Sequence, residues 1–594
     1  MLRRDEEGVR GESRGSGLWG TRRGGGRASE GRNAAVKRGL LGLLVLALAA
    51  PLAASAGRGH GQYSTAASYL APSLKRAAAQ TPDASVPVIV QSVDGAPQAE
   101  NALDDLGSTS MRLGIVDAAV GEIAAGDLPA LAGQPGLVIT PDHPVVLDAR
   151  KEPKGKEPKG PKKTPTAPFS SDSPWPEAVG VEQLWPRLAA QTSRPRSGNP
   201  PTIAFVDSGI EADRPDFGNR VLAQVNMTGL PGNSAGDGRG HGTLVAGLAA
   251  GSAPRHAGAA PTAGIVSLDV MDDRGMARTS DVIAAAQWIE RNRKQYDIRV
   301  ANFSLHSGTP TSFRWDPLDK AVEKLWFSGI VVVSAAGNQA KNGQSAPMAY
   351  APANDPFVIT VGALDLHNSP NPDRADVPNW SAWGHTLDGF AKPELAAPGR
   401  ALVGPVPAGS TLANERPSQL IRTREGTYMT LSGTSLAAPI VAGIAADLIA
   451  LDPTLTPDEV KGALMLEARS LRKVKNLAAG VGEAYAAGAA TVTVAPNPNR
   501  ALNAYLVADS GSGSGVVFDD VSWLDAAKTS VSWDSVSWLD GWASAAWSVV
   551  SWSDVSWSDV SWSDVSWSDV SWADVSWTDV SWADIAAAVY GDVN

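Results

Sequence analysis

Five near-continuous apolar runs constrain this chain most: TIAFVDS (202–208), AGIVSLDV (263–270), IRVANFSL (298–305), GIVVVSAAG (329–337) and FVITVGA (357–363). Runs apolar at both odd and even positions suit strands buried on both faces. Between them, SDVIAAAQWIERNRK (280–294) and PLDKAVEKLWFSG (317–329) carry apolar residues at helical spacing. Strand alternating with helix predicts an α/β domain, with right-handed crossovers building a doubly wound parallel sheet. Such sheets gather their sites beyond the carboxyl ends of the strands. This domain is delimited here as residues 173–490.

The other segments differ in texture. Residues 1–56 hold an Arg/Gly-rich extension, then Lys37-Arg38, the apolar run LLGLLVLALAAPLAA (40–54) and Ala54-Ser55-Ala56. A basic flank, a short apolar stretch and a small-x-small end form an export signal cut after Ala56, and predict a secreted or cell-surface protein. A membrane anchor is the alternative reading, but the run falls short of the roughly 20 residues a spanning helix needs. Residues 57–148 read as a small α+β domain, with VPVIVQS (86–92) and LGIVDAAVGEIAA (113–125) as strands, and AENALDDLG (99–107) and DLPALAG (127–133) as helices. The Lys/Pro-rich stretch 149–172 reads as an exposed linker. Residues 491–519, rich in Pro, Asn, Gly and Ser, read as a second connection, and 520–594 as a repeat tail.

The net charge of −11 argues against a nucleic-acid partner, which needs a clustered positive surface. With no cysteine in 594 residues, disulfides, thiolate metal sites and cysteine nucleophiles are excluded.

Three short motifs fall where the sheet would place a site. FVDSG (205–209) ends a buried strand on Asp207, an acid that needs a partner if it stays charged inside the protein. GHGTLVAG (240–247) puts His241 at the entry to a small-residue helix. SGTSLAAPIVAG (432–443) puts Ser435 at a helix start, beside unpaired N–H groups and the positive end of the helix dipole. Pro439 reads there as a residue of the first turn, where a missing N–H is harmless. Each motif alone is an ordinary turn or cap. Together they set an acid, a base and a hydroxyl nucleophile in the order Asp…His…Ser on one α/β frame.

At these residues the chain resembles the subtilases, the subtilisin-like serine proteases. VDSGI, HGTLVAG and GTSLAAPIVAG match that family's signatures, with Leu436 where the family usually has Met. The resemblance spans roughly 173–490. It implies a serine endopeptidase with Asp207, His241 and Ser435 as catalytic triad, acting on protein or peptide substrates. VSAAGN (333–338) matches the segment that supplies the family's oxyanion-hole asparagine, so Asn338 takes that role together with the Ser435 N–H. NFSLHSG (302–308) resembles the substrate-pairing segment, which implies Ser304, Leu305 and His306 as substrate-binding residues, with Ala336 and Gly337 on the neighbouring segment. At His306 the family commonly has Gly; the histidine either narrows the specificity pocket or points to solvent. The domain at 84–147 resembles the family's propeptide, which implies a zymogen whose own N-terminal domain acts as an intramolecular inhibitor. Catalysis requires no cofactor. Structural calcium is frequent in the family, but no calcium-loop spacing is legible and no metal residue is assigned.

Residues 550–584 are seven consecutive copies of V-S-W-(S/A/T)-D, with looser copies from Val521. A five-residue step winds tryptophan around every face of a helix and alternates faces along a strand. The tail therefore either bends at each repeat, docks on something, or has no fixed fold, and its partner is unassigned. Two other classes of function fit the sequence less well. A surface-attachment protein would work through this tail and leave the protease domain silent, yet all four chemical motifs are intact. A Ser-His-Asp esterase expects a G-x-S-x-G elbow and the order Ser…Asp…His, neither of which is present at Ser435.

Overall fold

The computed structural model describes residues 68–147, 169–192, 200–474, 477–509 and 515–529. The export signal, most of the Lys/Pro-rich linker and the repeats beyond Thr529 lie outside the described residues.

The N-terminal domain is a five-stranded sheet of order β1-β5-β2-β4-β3. Its strands are β1 (Tyr69–Leu70), β2 (Ser85–Ser92), β3 (Gly107–Leu113), β4 (Ala118–Ala124) and β5 (Leu137–Pro141), with helices α1 (Pro72–Gln80), α2 (Ala96–Asp104) and α3 (Leu128–Ala132). The apolar VIV of β2 has a physical reason. Val88 and Val90 pack with Leu74, Leu103 and Leu131 in the domain's own core, while Ile89, facing the other way, joins the main core of the protein. Both faces of this strand are therefore buried. The stretch 113–125, expected as one strand, is two: Gly114–Val116 forms a 3-10 turn and Asp117 adopts a left-handed φ of 52°, which folds β4 back antiparallel to β3.

After β5 the chain runs into β6 (Pro144–Val146). Helices α4 (Trp175–Ala178) and α5 (Trp185–Thr192) then lead to the main sheet. That sheet has β7 (Thr202–Asp207), β8 (Val221–Asn226), β9 (Gly264–Asp269), β11 (Ile298–Phe303), β13 (Val331–Ala335), β14 (Ile359–Leu364) and β17 (Leu395–Pro398), in the order β17-β14-β13-β11-β7-β9-β8. Every neighbouring pair is parallel. The strand order extends to both sides of β7, and the sheet carries helices on both faces. Helix α6 (His241–Ala250) packs on α10 (Thr434–Leu451), and α7 (Thr279–Asn292) packs on α8 (Pro317–Phe327). Short strands β10 (Met276–Arg278) and β12 (His306–Ser307) flank β6, while β15 (Gly384–His385) and β16 (Ala391–Lys392) form a small ribbon. A sheet of β18 (Leu402–Pro405), β19 (Leu420–Arg422) and β20 (Thr427–Leu431), with helix α9 (Thr411–Glu415), precedes α10; α11 (Pro457–Leu466) and α12 (Ala486–Ala489) follow it. Helix α10 is apolar enough to cross a membrane, but 89% of that stretch is buried inside the protein, where it serves as the central core helix.

Two boundaries differ from the sequence reading. Residues 169–172 belong to the packed domain: Asp172 accepts from Arg255 Nε at 2.7 Å, and Ser171 bridges to His256. The stretch 491–519 is no loose connection. It holds α13 (Arg500–Asn503) and a hairpin of β21 (Leu506–Ala508) and β22 (Val516–Phe518), followed by α14 (Asp520–Thr529). Its asparagines are tied down, since Asn499 and Asn503 donate to Asp458 at 2.8 and 2.6 Å, and Lys461 donates to Asn499 at 3.2 Å. Composition signalled turns; hydrogen bonds to Asp458 and Lys461 made them part of the domain.

Candidate active site

Strand β7 delivers Asp207 to the carboxyl edge of the sheet, and α6 begins beside it with His241; both side chains are 1% exposed. Asp207 Oδ1 lies 2.8 Å from His241 Nδ1 and accepts the Ser208 N–H at 2.8 Å. A carboxylate only accepts, so the ring proton sits on Nδ1 and Nε2 is the basic atom. Nε2 has no hydrogen-bond partner among the described residues. The close approach of the two segments depends on glycine, because a Cβ on Gly242 would overlap the Gly209 carbonyl oxygen.

Helix α6 starts after Gly240 with no cap from its own first residue. Asp237 supplies one. Its Oδ1 accepts from Gly240 N–H at 2.6 Å and Ser208 Oγ at 2.9 Å, and its Oδ2 accepts from Thr243 N–H at 2.8 Å. Ser208 Oγ in turn accepts the Gly242 N–H at 3.0 Å, so three residues lock the turn that carries His241. Burial pushes Asp237 up to about 6 against these hydrogen bonds, and pushes Asp269, which pairs with Asp207 across β7 and β9, up to about 7. Sequence reasoning missed Asp237. The signal was an acid four residues before the first residue of a helix. Replacing it by alanine should cost about 1–3 kcal/mol of stability through the orphaned N–H groups. Turnover should fall about tenfold with little change in KM, and Asp237→Asn should recover part of both. Unchanged steady-state kinetics in Asp237→Ala would show that the turn holds itself.

Ser435 is the second residue of α10 and is 4% exposed. Pro439 lies one turn further in than expected, where its missing N–H would orphan the Ser435 carbonyl. The structure compensates: Ser304 Oγ donates to Ser435 O at 2.9 Å, and Asn302 Nδ2 donates to Ser304 Oγ at 2.9 Å. Ser304 thus ties the end of β11 to the residue bearing the hydroxyl. Asn338 follows β13 and is fully buried. Its Oδ1 accepts from Thr434 N–H at 2.9 Å and Thr434 Oγ1 at 3.3 Å, which fixes the amide rotation and leaves Nδ2 as its donor. Gly337 N–H donates to Thr434 Oγ1 at 3.0 Å, so Asn338, Gly337 and the start of α10 form one rigid unit.

Of the other candidates, Leu305 is buried and His306 lies on β12, its ring leaning on Tyr350 at 5.5 Å between centroids. Ala336 joins Met348 and Ala382 in a small apolar cluster. Strand β6 runs antiparallel between β10 and β12, with Val146 opposite both Met276 and His306. For a metal, Asp365, His367 and Asp376 come within ligand reach of one another. Arg400 donates to Asp365 at 3.0 Å and Lys473 lies 3.9 Å from Asp376, so an ion-pair network already balances those acids. Calcium stays unassigned.

The profile of the subtilase family matches residues 198–488. Over 287 residues the chain is 32% identical to subtilisin of Bacillus pumilus, covering 48% of this chain and 89% of that protein. This chain belongs to the subtilase family. Among subtilases it is also 35% identical over 278 residues to serine protease AprX of Bacillus subtilis (strain 168), covering 45% of this chain and 61% of that protein. The match spans 59% of subtilisin-like protease 3 of Pseudogymnoascus destructans and 64% of subtilisin E of Bacillus subtilis. The solved structure of fervidolysin from Fervidobacterium pennivorans, a keratinolytic enzyme related to subtilisin, shares the fold at a TM-score of 0.55 and 22% identity, over 73% of this chain and 64% of that one.

Proposed function

We propose that this chain is a secreted serine endopeptidase, made as a zymogen whose N-terminal domain blocks the cleft until it is cut away. One observation carries the reading: a buried Asp207–His241 hydrogen bond that leaves Nε2 as the free basic atom, on a helix packed against the one that bears Ser435. A serine hydroxyl is too weakly acidic to attack an amide unaided. His241 Nε2 takes its proton as Oγ bonds to the scissile carbonyl carbon. Asp207 holds the ring and stabilises the imidazolium. The carbonyl oxygen becomes an oxyanion, met by Asn338 Nδ2 and the Ser435 N–H at the positive end of α10. His241 then protonates the leaving amine, and water repeats the sequence on the acyl-enzyme. A fluorescent serine-directed phosphonate should label Ser435 in parallel with loss of peptide hydrolysis. Full hydrolysis with Ser435 unlabelled would reject the mechanism.

The zymogen part rests on how the N-terminal domain ends. Strand β6 is laid between β10 and β12 as an added strand, the way an extended peptide joins a sheet edge. Asp142, just before it, accepts from Ser280 N–H at 2.9 Å and Ser280 Oγ at 2.7 Å, capping α7, which has no cap of its own. Tyr69 stacks on Trp315 at 4.8 Å. The Lys/Pro-rich stretch follows immediately after this strand in the chain. Mature protein should therefore begin between residues 148 and 173, and Ser435→Ala should accumulate the longer form. N-terminal sequencing and intact mass read both. Active mature enzyme that still carries 84–147 covalently would reject the zymogen reading.

A further inference from the structure

The tail repeat has one copy inside the described residues. Asp520-Val521-Ser522-Trp523 opens α14, and the same tetrapeptide recurs at 554–557, 559–562, 564–567, 569–572, 574–577 and 579–582. The docked copy shows what the tetrapeptide reads. Trp523 is 1% exposed, stacked on Phe390 at 5.4 Å and edge-on to Phe313 at 5.7 Å, with Phe518 closing the box at 6.1 Å. Asp520, 3% exposed at its side chain, accepts from Arg314 Nε at 3.0 Å. Residues three apart on a helix share a face, so the acid and the indole reach the same wall together. Ser522 serves the local turn: its N–H and hydroxyl donate to Asp519 at 3.0 and 2.7 Å. In five of the six downstream copies the residue ahead of the Asp is Ser or Thr, and either can cap the same turn.

We propose that the box of Phe313, Phe390 and Phe518 with Arg314 is a receptor for the tetrapeptide Asp-Val-Ser-Trp, and that the downstream copies of the same chain, 554–557 onward, exchange with 520–523 in it. The residues the box recognises are those the repeat keeps, while the position after Trp, which varies among Leu, Ser, Ala and Thr, lies outside the tetrapeptide. Each chain thus has one receptor and seven ligands. Occupancy from within the chain is favoured, because covalent linkage holds a ligand near its receptor at about millimolar effective concentration, above any ordinary protein concentration. Each doubling of the loop lowers that figure only about threefold, so later copies stay competitive once the first is lost. The tail is then fastened at an adjustable register, with the first step spanning 520 to 554 and each later one five residues.

The test uses the full chain and hydrogen exchange of residues 313–318 and 516–518, with the main sheet as the folding control. Trp523→Ala alone should change exchange there less than about threefold. Adding Trp→Ala at 557, 562, 567, 572, 577 and 582 should raise it tenfold or more, and a synthetic Ser-Asp-Val-Ser-Trp-Ser-Asp peptide should restore protection where its Trp→Ala counterpart does not. Equal exchange in the single and sevenfold variants overturns the proposal. Protection in Trp523→Ala that grows with protein concentration makes a second copy the occupant and overturns exchange within the chain. Should the sevenfold variant fail to fold, Asp520→Ala decides in its place. Its melting temperature should fall by 5 °C or more in a chain ending at Thr529 and by less than 2 °C in the full chain; equal losses overturn the proposal.

Discussion

Ser435→Ala is expected to lower turnover on peptide substrates by on the order of 10⁶, the scale set by subtilisin itself, with the fold intact. The substitution removes a single oxygen. The Ser435 carbonyl keeps its bond from Ser304, the Asn338–Thr434 latch does not involve the hydroxyl, and α10 retains its buried length. Melting temperature should therefore move little while the nucleophile is gone. His241→Ala should do comparable damage, because nucleophile and base act as one unit and the loss of either disables both. The oxyanion donors persist in each variant, so a small rate above that of water should survive. Measuring kcat on a short peptide, with inhibitor labelling and a melting curve, checks all three points. Activity within tenfold of the parent in Ser435→Ala would remove this serine from the chemistry.

Asn338→Asp is expected to lower kcat by about 10²–10³, the range for one lost oxyanion donor, itself known from subtilisin. Aspartate keeps the oxygen that accepts from Thr434 at 2.9 Å, so the start of α10 stays latched. It replaces the amide donor with a second acceptor, which faces the developing negative charge instead of stabilising it. Because the interaction strengthens only as the oxyanion forms, KM should change far less than kcat. Asn338→Ala serves as contrast: it also releases Thr434 and should add a loss of stability that Asn338→Asp lacks. A fall in KM-related binding with kcat preserved would assign Asn338 to substrate recognition instead.

The residues that carry the chemistry were legible because each sits in a compact local frame. Asp207 closes an apolar strand, and His241 and Ser435 open small-residue helices. Their supporting partners were not legible, since each lies far away in the chain or does its work through a backbone atom. Pro439 read as harmless, yet it costs the Ser435 carbonyl its helical bond, and a serine 131 residues away restores one. Asp237 carries no motif of its own, and its role shows in the bonds it accepts from Gly240, Thr243 and Ser208. Residues 491–519 looked like a connection because Pro, Asn and Gly mark turns, and periodicity is blind to asparagines that end on a half-buried acid far back in the chain.

By itself the sequence determined five of the seven parallel strands and the order in which acid, base and nucleophile appear. These follow from properties carried by each residue and its near neighbours: hydrophobic period, turn chemistry and the donors of a helix start. Only the tertiary structure decided that Ile89 faces the main core while Val88 and Val90 face their own, and that β6 lies between β10 and β12. It alone decided that Trp523 leaves its repeat to fill an aromatic box. An apolar face or a buried polar atom requires a partner but does not name it, and the partner is set by contacts across hundreds of residues, such as the 206 between Arg314 and Asp520.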